Sequence, residues 1–320
     1  YVIVFFVLSG FVISWSIDRK KTLQPSQYIF DRVTRLWSVA IPALVVGFSM
    51  DLIGRSINPS TYTYIFSPNH LEMKYLISSF FMHETWFFSI RPGSNGPFWS
   101  LSYEFFYYMI FGSVMLLTSW KNKILAFCFW IILAGPKILL LFPCWLMGCI
   151  AFQACKYIRP HNVIALFLIL SSCAFLFARM IERWSNWNPW SYHGLGNAPW
   201  FYSAKFLDDY LTALIVGIML FAANSWLGLE AKNKGRLSKM IRKMADCSFS
   251  LYAIHFPAMA LLGALWASGK ITFMNIHSAI VLILVFTFLF ASAFEQPLKA
   301  YRQFILKLVP TLKLKCGINS

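Results

Sequence analysis

Long apolar stretches follow one another through the sequence, and their length constrains the fold more than any other feature. A helix needs about 20 residues to cross the ~30 Å hydrocarbon layer of a membrane, and only helices and closed barrels satisfy every backbone polar group there. The break at Gly135, Pro136 and Lys137 could mark one kinked helix or a tight outer turn between two helices, and we favour the turn because the distribution of charge supports it. Nine candidate spans result, at 1–17, 36–54, 98–118, 124–136, 138–155, 162–180, 206–226, 247–267 and 275–295. The sequence therefore predicts an all-α, polytopic transmembrane helical bundle in a single domain, 1–320.

Composition excludes a water-soluble fold. Hydrophobic residues make up 58% of the 320 positions, charged residues 12%, and the mean hydropathy is +0.61, whereas soluble domains have about 45–50% apolar and about 25% charged residues. The net charge of +16 could indicate nucleic-acid binding, but the basic residues lie in short segments between apolar stretches. That pattern is typical of cytoplasmic loops facing anionic lipid, so we predict no nucleic-acid partner.

The placement of lysine and arginine predicts the orientation in the membrane. If the first span ends in the cytoplasm, 20 of the 28 basic residues fall in cytoplasmic segments, as the positive-inside rule requires. The external segments are then 55–97 and 181–205, and 296–320 is a basic cytoplasmic tail. We expect a multi-pass protein of the cytoplasmic (inner) membrane. Because the chain opens at Tyr1 inside an apolar run, we expect one further span upstream and about ten in the full-length protein.

Ionisable residues within membrane spans are expensive and indicate function by default, and Glu104 and His255 are the two that we single out. Glu104 lies about 9 Å inside one span, and its alternative role is a buried carboxylate that pins helices together. His255 lies about 12 Å inside another, followed by Pro257, which frees a backbone carbonyl one turn earlier. Besides a catalytic role, His255 could form a structural hydrogen bond, or it could line a pore or orient another group. Polar neighbours that could support Glu104 are Trp99, Ser100, Ser102 and Tyr103.

Arg32 and Arg35 are spaced i, i+3 on a predicted amphipathic helix, 26–37. Their guanidinium groups could anchor the protein to lipid headgroups or receive a phosphorylated donor from the cytoplasm. Glu295 is expected to pair with the basic tail. No spacing indicates a metal site. Residues that could meet an external acceptor are His70, His83, Glu84, Arg91, Asn95, Asp208 and Asp209.

Six segments of the chain contain recognisable sequence motifs. The segment 95–107 is similar to a WSLxxE motif, 248–257 to SxxLYxxHxP, and 294–299 to ExP. The remaining three are Phe5-Phe-Val-Leu-Ser-Gly-Phe-Val-Ile13, Tyr28-Ile-Phe-Asp-Arg-Val-Thr-Arg-Leu-Trp37 and Phe142-Pro-Cys-Trp-Leu-Met-Gly-Cys-Ile-Ala151. In this order the six resemble the motifs of the acyltransferase-3 family of membrane enzymes, and the resemblance extends over essentially the whole chain.

The resemblance implies an enzyme that transfers an acyl group, usually acetyl, from cytoplasmic acetyl-CoA to a hydroxyl of a glycan or glycolipid of the cell envelope, such as O-antigen or exopolysaccharide. Acyl-CoA is then a co-substrate, and no bound cofactor is implied. By the family pattern Arg32 and Arg35 hold the CoA end, Ser9 and Gly10 line the same cavity, and Glu104 belongs to the central site. The family's base is a histidine eleven positions after an arginine in a span that would precede Tyr1, so the chain alone is expected to be inactive.

Two other classes of protein would also be basic and span the membrane many times. A transporter or flippase for a lipid-linked or small substrate would show pseudo-repeats or matching broken helices in two halves, and we find neither. An accessory protein would only bind a partner enzyme.

Overall fold

The structure is a computed structural model that describes residues 2–20, 23–65, 69–185, 199–227, 244–271 and 275–308. In these ranges the regular elements are helices and no strand occurs. Two 3₁₀ turns lie at Gly96–Phe98 and Phe201–Ser203. The α-helices are α1 Val2–Arg19, α2 Pro25–Ile57, α3 Pro59–Ile65, α4 Leu71–Ser79, α5 Trp99–Leu116, α6 Trp120–Ala134, α7 Pro136–Tyr157, α8 Asn162–Ser185, α9 Phe206–Leu227, α10 Ser248–Ala267, α11 Ile276–Phe294 and α12 Leu298–Leu308.

Seven helices of the described residues are long and apolar enough to cross a membrane: α1, α2, α7, α8, α9, α10 and α11, the last continuing through a turn into α12. All nine predicted spans are helical, but α5 and α6 are not among the seven. With 15 residues, α6 is short for a span. The length of α5 is sufficient, but Glu104 and several serines and tyrosines make it more polar. The predicted all-α polytopic bundle is confirmed.

The chain forms two compact units, each discontinuous in sequence. The first contains residues 1–23 and 125–233, and the second contains 24–124 and 234–320. In the first unit α7 packs against α1 and α9, and α8 packs against α9. In the second, α2 packs against α10, and α10 packs against α11, around a core of Val39, Ala43, Ala253, Ile254 and Phe290.

The predicted turn at Gly135 is confirmed. Helix α6 ends at Ala134, and Pro136 is the first residue of α7, where its missing N–H costs nothing. Gly135 has φ +79°, a conformation that favours glycine because it has no side chain.

The second unit differs from the prediction along α2. This helix has 33 residues and joins the predicted amphipathic helix 26–37 to the predicted span 36–54. The segment 55–97, predicted as an external loop, contains α3 and α4 and packs along α2. Tyr75 contacts Asp51, and the Trp37 indole donates to the Ser79 carbonyl over 3.1 Å. These two contacts lie about 21 Å apart along the axis of α2.

Parts of three predicted segments lie outside the described residues. They are 186–198 of the external segment 181–205, 228–243 of the basic segment 227–246, and 309–320 of the tail.

Candidate functional site

Ser9 and Gly10, expected to line a donor cavity, lie where α1 packs against α7 in the first unit. The Trp145 indole donates to Ser9 Oγ over 3.1 Å, and Cys149 Sγ lies 3.3 Å from the Gly10 carbonyl. A Cβ on Gly10 would lie 2.0 Å from the Trp145 carbonyl oxygen. The structure therefore gives both residues a role in close helix packing, which small residues favour within membranes.

In the second unit, hydrogen bonds hold the segment preceding α5 against α10. Pro257 has no N–H, so the Ala253 carbonyl loses its helical partner, as the sequence predicts. The Asn95 side-chain amide replaces that partner and donates to the carbonyl over 2.7 Å. One residue earlier, the Tyr252 hydroxyl donates to the Pro97 carbonyl and lies 2.6 Å from Ser100 Oγ. The WSLxxE and SxxLYxxHxP segments are thus directly joined.

His255 lies one turn after Tyr252, and its ring is oriented by its own helix. Nδ1 lies 2.7 Å from the Leu251 carbonyl and 3.0 Å from the Tyr252 carbonyl. A carbonyl oxygen can only accept a hydrogen bond, so we assign the proton of the neutral ring to Nδ1. Nε2 then carries the lone pair, and it has no partner among the described residues. This arrangement suits a group that accepts a hydrogen bond or a proton.

Glu104 is half-buried on α5, and two tyrosines, Tyr108 of α5 and Tyr28 of α2, connect it to α2 by hydrogen bonds. The Tyr108 hydroxyl donates to Glu104 Oε1, and the Tyr28 hydroxyl donates to the Tyr108 carbonyl over 3.2 Å. The guanidinium carbon of Arg32 lies 5.6 Å from the centre of the Tyr28 ring, within cation–π range. Tyr108 is not among the predicted site residues, although its i, i+4 spacing from Glu104 could have indicated the contact.

The other residues expected to support Glu104 hold the start of α5 in place. Trp99 packs edge-on against the buried Tyr103, with ring centres 5.0 Å apart. Ser102 is fully buried and donates to the Phe81 carbonyl over 2.5 Å. These side chains fix α5 against the preceding segment.

Glu295 pairs with Arg35 and not, as we expected, with the basic tail. Its carboxylate is 2% exposed and accepts from Arg35 Nη2 over 2.9 Å. It also accepts from the Ser250 N–H and hydroxyl over 2.9 and 2.6 Å, so it caps the first turn of α10. After the turn that follows Glu295, α12 packs against α2. Arg302 of the tail forms an ion pair there with Asp31 of α2, with an N–O distance of 3.1 Å.

Part of the Arg35 guanidinium group is not used by the ion pair with Glu295. Only its Nη2 has a hydrogen-bond partner among the described residues, and the side chain is 37% exposed. Nε and Nη1 therefore remain available to an anion.

Asp51 is a buried acid that the sequence analysis missed, although it interrupts the apolar run 36–54. It is fully buried and accepts from the Tyr75 hydroxyl at 2.8 Å and from the Ser94 N–H and hydroxyl at 2.9 and 2.6 Å. Burial and the nearby carboxylate raise the pKa of Tyr75, so its hydroxyl stays protonated and donates. The turn that precedes Asn95 is thereby held against α2.

Replacing Asp51 with alanine is expected to lower the free energy of unfolding by about 3 kcal/mol, because it leaves three buried donors without their acceptor. Thermal unfolding in detergent measures the change. Asp246→Ala removes an exposed aspartate and is expected to have little effect. Equal stability of the two variants would contradict the anchoring role of Asp51.

The remaining candidates for an external acceptor are dispersed. His83 and Glu84 are buried, with His83 Nε2 3.2 Å from the Phe98 carbonyl and Glu84 accepting from Ser89. In the first unit, Asp208 pairs with Arg179. The structure describes no cluster that gathers these residues.

The six motif segments fall into two groups, one within each unit. Four meet in the second unit and include Arg32, Arg35, Glu104 and His255, and two meet between α1 and α7. A family model described as an acyltransferase domain matches residues 1–295. The chain belongs to the acyltransferase-3 family. Neither a curated protein nor a solved structure matches it significantly.

Membership of the acyltransferase-3 family identifies a multi-pass membrane protein of acyltransferase type. The family assignment therefore favours an enzyme over the transporter, flippase and accessory-protein alternatives.

Proposed function

We propose that the protein is a membrane-bound O-acyltransferase of the cytoplasmic membrane. It transfers an acyl group, with acetyl as the proposed group, from cytoplasmic acyl-CoA to a hydroxyl of a cell-envelope or exported glycan. The observation that carries the proposal is the meeting of four motif segments in one unit, with an available guanidinium edge on Arg35 and an available ring nitrogen on His255.

The donor is proposed to bind through Arg32 and Arg35. The phosphates of acyl-CoA are suited to guanidinium groups, which donate two parallel hydrogen bonds. Arg35 is held by Glu295 through one nitrogen only, so its position is fixed while its outer edge stays available. Arg32, above the Tyr28 ring, connects this region with Glu104.

The reaction is an ordinary acyl transfer. The acceptor hydroxyl loses its proton to a base as its oxygen forms a bond to the thioester carbon, and the C–S bond then breaks. The proton is returned to the CoA thiolate, so the products are an ester and free CoA. We propose that His255 orients the acceptor by accepting, through Nε2, a hydrogen bond from a glycan hydroxyl next to the one that is acylated, so the proton of the reacting hydroxyl stays available to the base. Glu104 is proposed to set the electrostatics of the centre, with Tyr108 fixing its orientation.

Deleting the gene tests the function. We expect ester-linked acetyl, measured by mass spectrometry, to disappear from one class of envelope or exported glycan and to return when the complete gene is restored. Unchanged acyl content in every glycan fraction would contradict the proposal. A second assay follows acyl transfer from labelled acetyl-CoA to the same fraction by the purified full-length protein.

Replacing Arg35 with alanine is expected to raise the apparent KM for acyl-CoA about tenfold, the size of effect for one charge-assisted contact. Arg35→Lys keeps the positive charge next to Glu295 but lacks the planar guanidinium group that donates two parallel hydrogen bonds. We therefore expect a smaller increase in KM than for Arg35→Ala. Steady-state kinetics over a range of acyl-CoA concentrations separates KM from kcat. An unchanged KM in a folded Arg35→Ala protein would remove Arg35 from the donor site.

A further inference from the structure

A groove of about 310 Å³ lies between α2 and the region where α11 passes into α12. Ile41 and Pro42 form the α2 wall, Ala293 and Phe294 form the α11 wall, and Tyr301 of α12 closes one side. The lining is mainly apolar, and the volume is at the lower end of the ~300–1,000 Å³ typical of small-molecule sites. The exposure of Ile41 and Phe294, 39% each, shows that the groove is open to the surroundings.

One end of the groove is basic. Ser38 lines the groove, and Arg35 lies one turn before it on α2. Arg302 follows the lining residue Tyr301 and lies near Arg32 and Arg35. Three arginines, Arg32, Arg35 and Arg302, lie there with two acidic residues, Asp31 and Glu295, which are both paired with arginines. The region therefore carries a net positive charge.

The apolar lining continues along one face of α12. Tyr301, Phe304 and Leu308 lie at positions i, i+3 and i+7, whereas Lys299 and Lys307 lie on the opposite face. Phe304 is 59% and Leu308 65% exposed, and α12 has no buried residue. An amphipathic helix of this kind is typical of the membrane interface, with its apolar face against acyl chains.

We propose that the groove binds one acyl chain of an anionic phospholipid, whose phosphate lies at the basic end. The apolar walls match the chain, and the net positive charge matches the headgroup. Basic pockets between membrane helices recognise lipid phosphates in this way. The proposal goes beyond the enzymatic function, and it differs from donor binding because it requires the groove as well as the arginines.

Native mass spectrometry of the complete, delipidated protein tests the site, with dioleoylphosphatidylglycerol and dioleoylphosphatidylcholine as probes. We expect the protein to bind one molecule of phosphatidylglycerol in preference to phosphatidylcholine. Ala293→Trp fills the groove and is expected to weaken this binding about tenfold or more, since the chain then loses several buried methylene groups. The control is Val285→Trp, an exposed position of α11 outside the groove, and it should bind as the wild type does. Ile41→Trp tests the groove from α2 if Ala293→Trp does not fold.

Three results would overturn the proposal. Equal binding of the two lipids would exclude recognition of the negative headgroup. Equal lipid affinity of Ala293→Trp and Val285→Trp would exclude the groove. Displacement of the bound lipid by acyl-CoA, together with weaker acyl-CoA binding by Ala293→Trp than by Val285→Trp, would assign the groove to the donor. Acyl transfer is measured separately, so failure of the lipid site and failure of the proposed enzymatic function are distinguishable.

Discussion

In the full-length protein, replacing Glu104 with glutamine is expected to reduce kcat/KM for acyl transfer about 100-fold or more while the protein stays folded. Glutamine has nearly the same shape, and its amide oxygen can still accept from the Tyr108 hydroxyl. The variant therefore removes the negative charge and leaves the packing of α5 in place. Loss of a charged group that acts on the transition state costs about 10²- to 10⁴-fold.

Two further variants separate charge from position at this site. Tyr108→Phe removes the hydroxyl that donates to Glu104 and is expected to lower the rate less than Glu104→Gln, since the carboxylate remains. Glu72→Gln alters an exposed glutamate on α4 and should leave the rate unchanged. Full transfer activity in folded Glu104→Gln protein would show that Glu104 only holds helices together.

Replacing Gly148 with alanine is expected to destabilise the first unit by about 3 kcal/mol, at the upper end of the usual cost of overpacking. The new Cβ would lie 1.9 Å from the Val7 carbonyl oxygen and 2.8 Å from the Phe11 nitrogen. Both are backbone atoms of α1 and cannot turn aside as a flexible side chain could. The two helices must therefore separate, and the contact of Ser9 with Trp145 would be weakened.

Gly263→Ala provides the matched control, because a Cβ there would meet nothing within 4 Å. In a helix this substitution is expected to be neutral or stabilising by up to about 1 kcal/mol. The midpoint of thermal unfolding in detergent compares the two variants. If Gly148→Ala unfolds at the same temperature as Gly263→Ala, α1 and α7 do not require this close approach.

The sequence alone was sufficient for the features that depend on local chemistry. The length of the apolar stretches identified the long helices, and Gly135 with Pro136 indicated the turn between α6 and α7. Pro257 indicated that one carbonyl of α10 lacks a helical partner. The residue that fills this position, Asn95, lies 158 positions away from Ala253, and no periodicity or spacing links the two.

The unpredicted parts of the candidate site are likewise contacts between residues distant in sequence. Asp51 could have been recognised as an acid within a span, but its partners Tyr75 and Ser94 could not. For Glu295 the sequence indicated an ionic partner and suggested the adjacent tail. The observed partner, Arg35, is 260 positions away, because the turn after α11 directs the tail toward Asp31.

The packing of α1 against α7 also has a consequence for how the protein is made. Cys149 and Gly10, which are in contact, are 139 residues apart, and ribosomes add about 5–20 residues per second. The synthesis of α1 therefore precedes that of α7, its partner helix, by on the order of ten seconds. During this interval α2 to α6 emerge, so insertion of the second unit begins before the first can close.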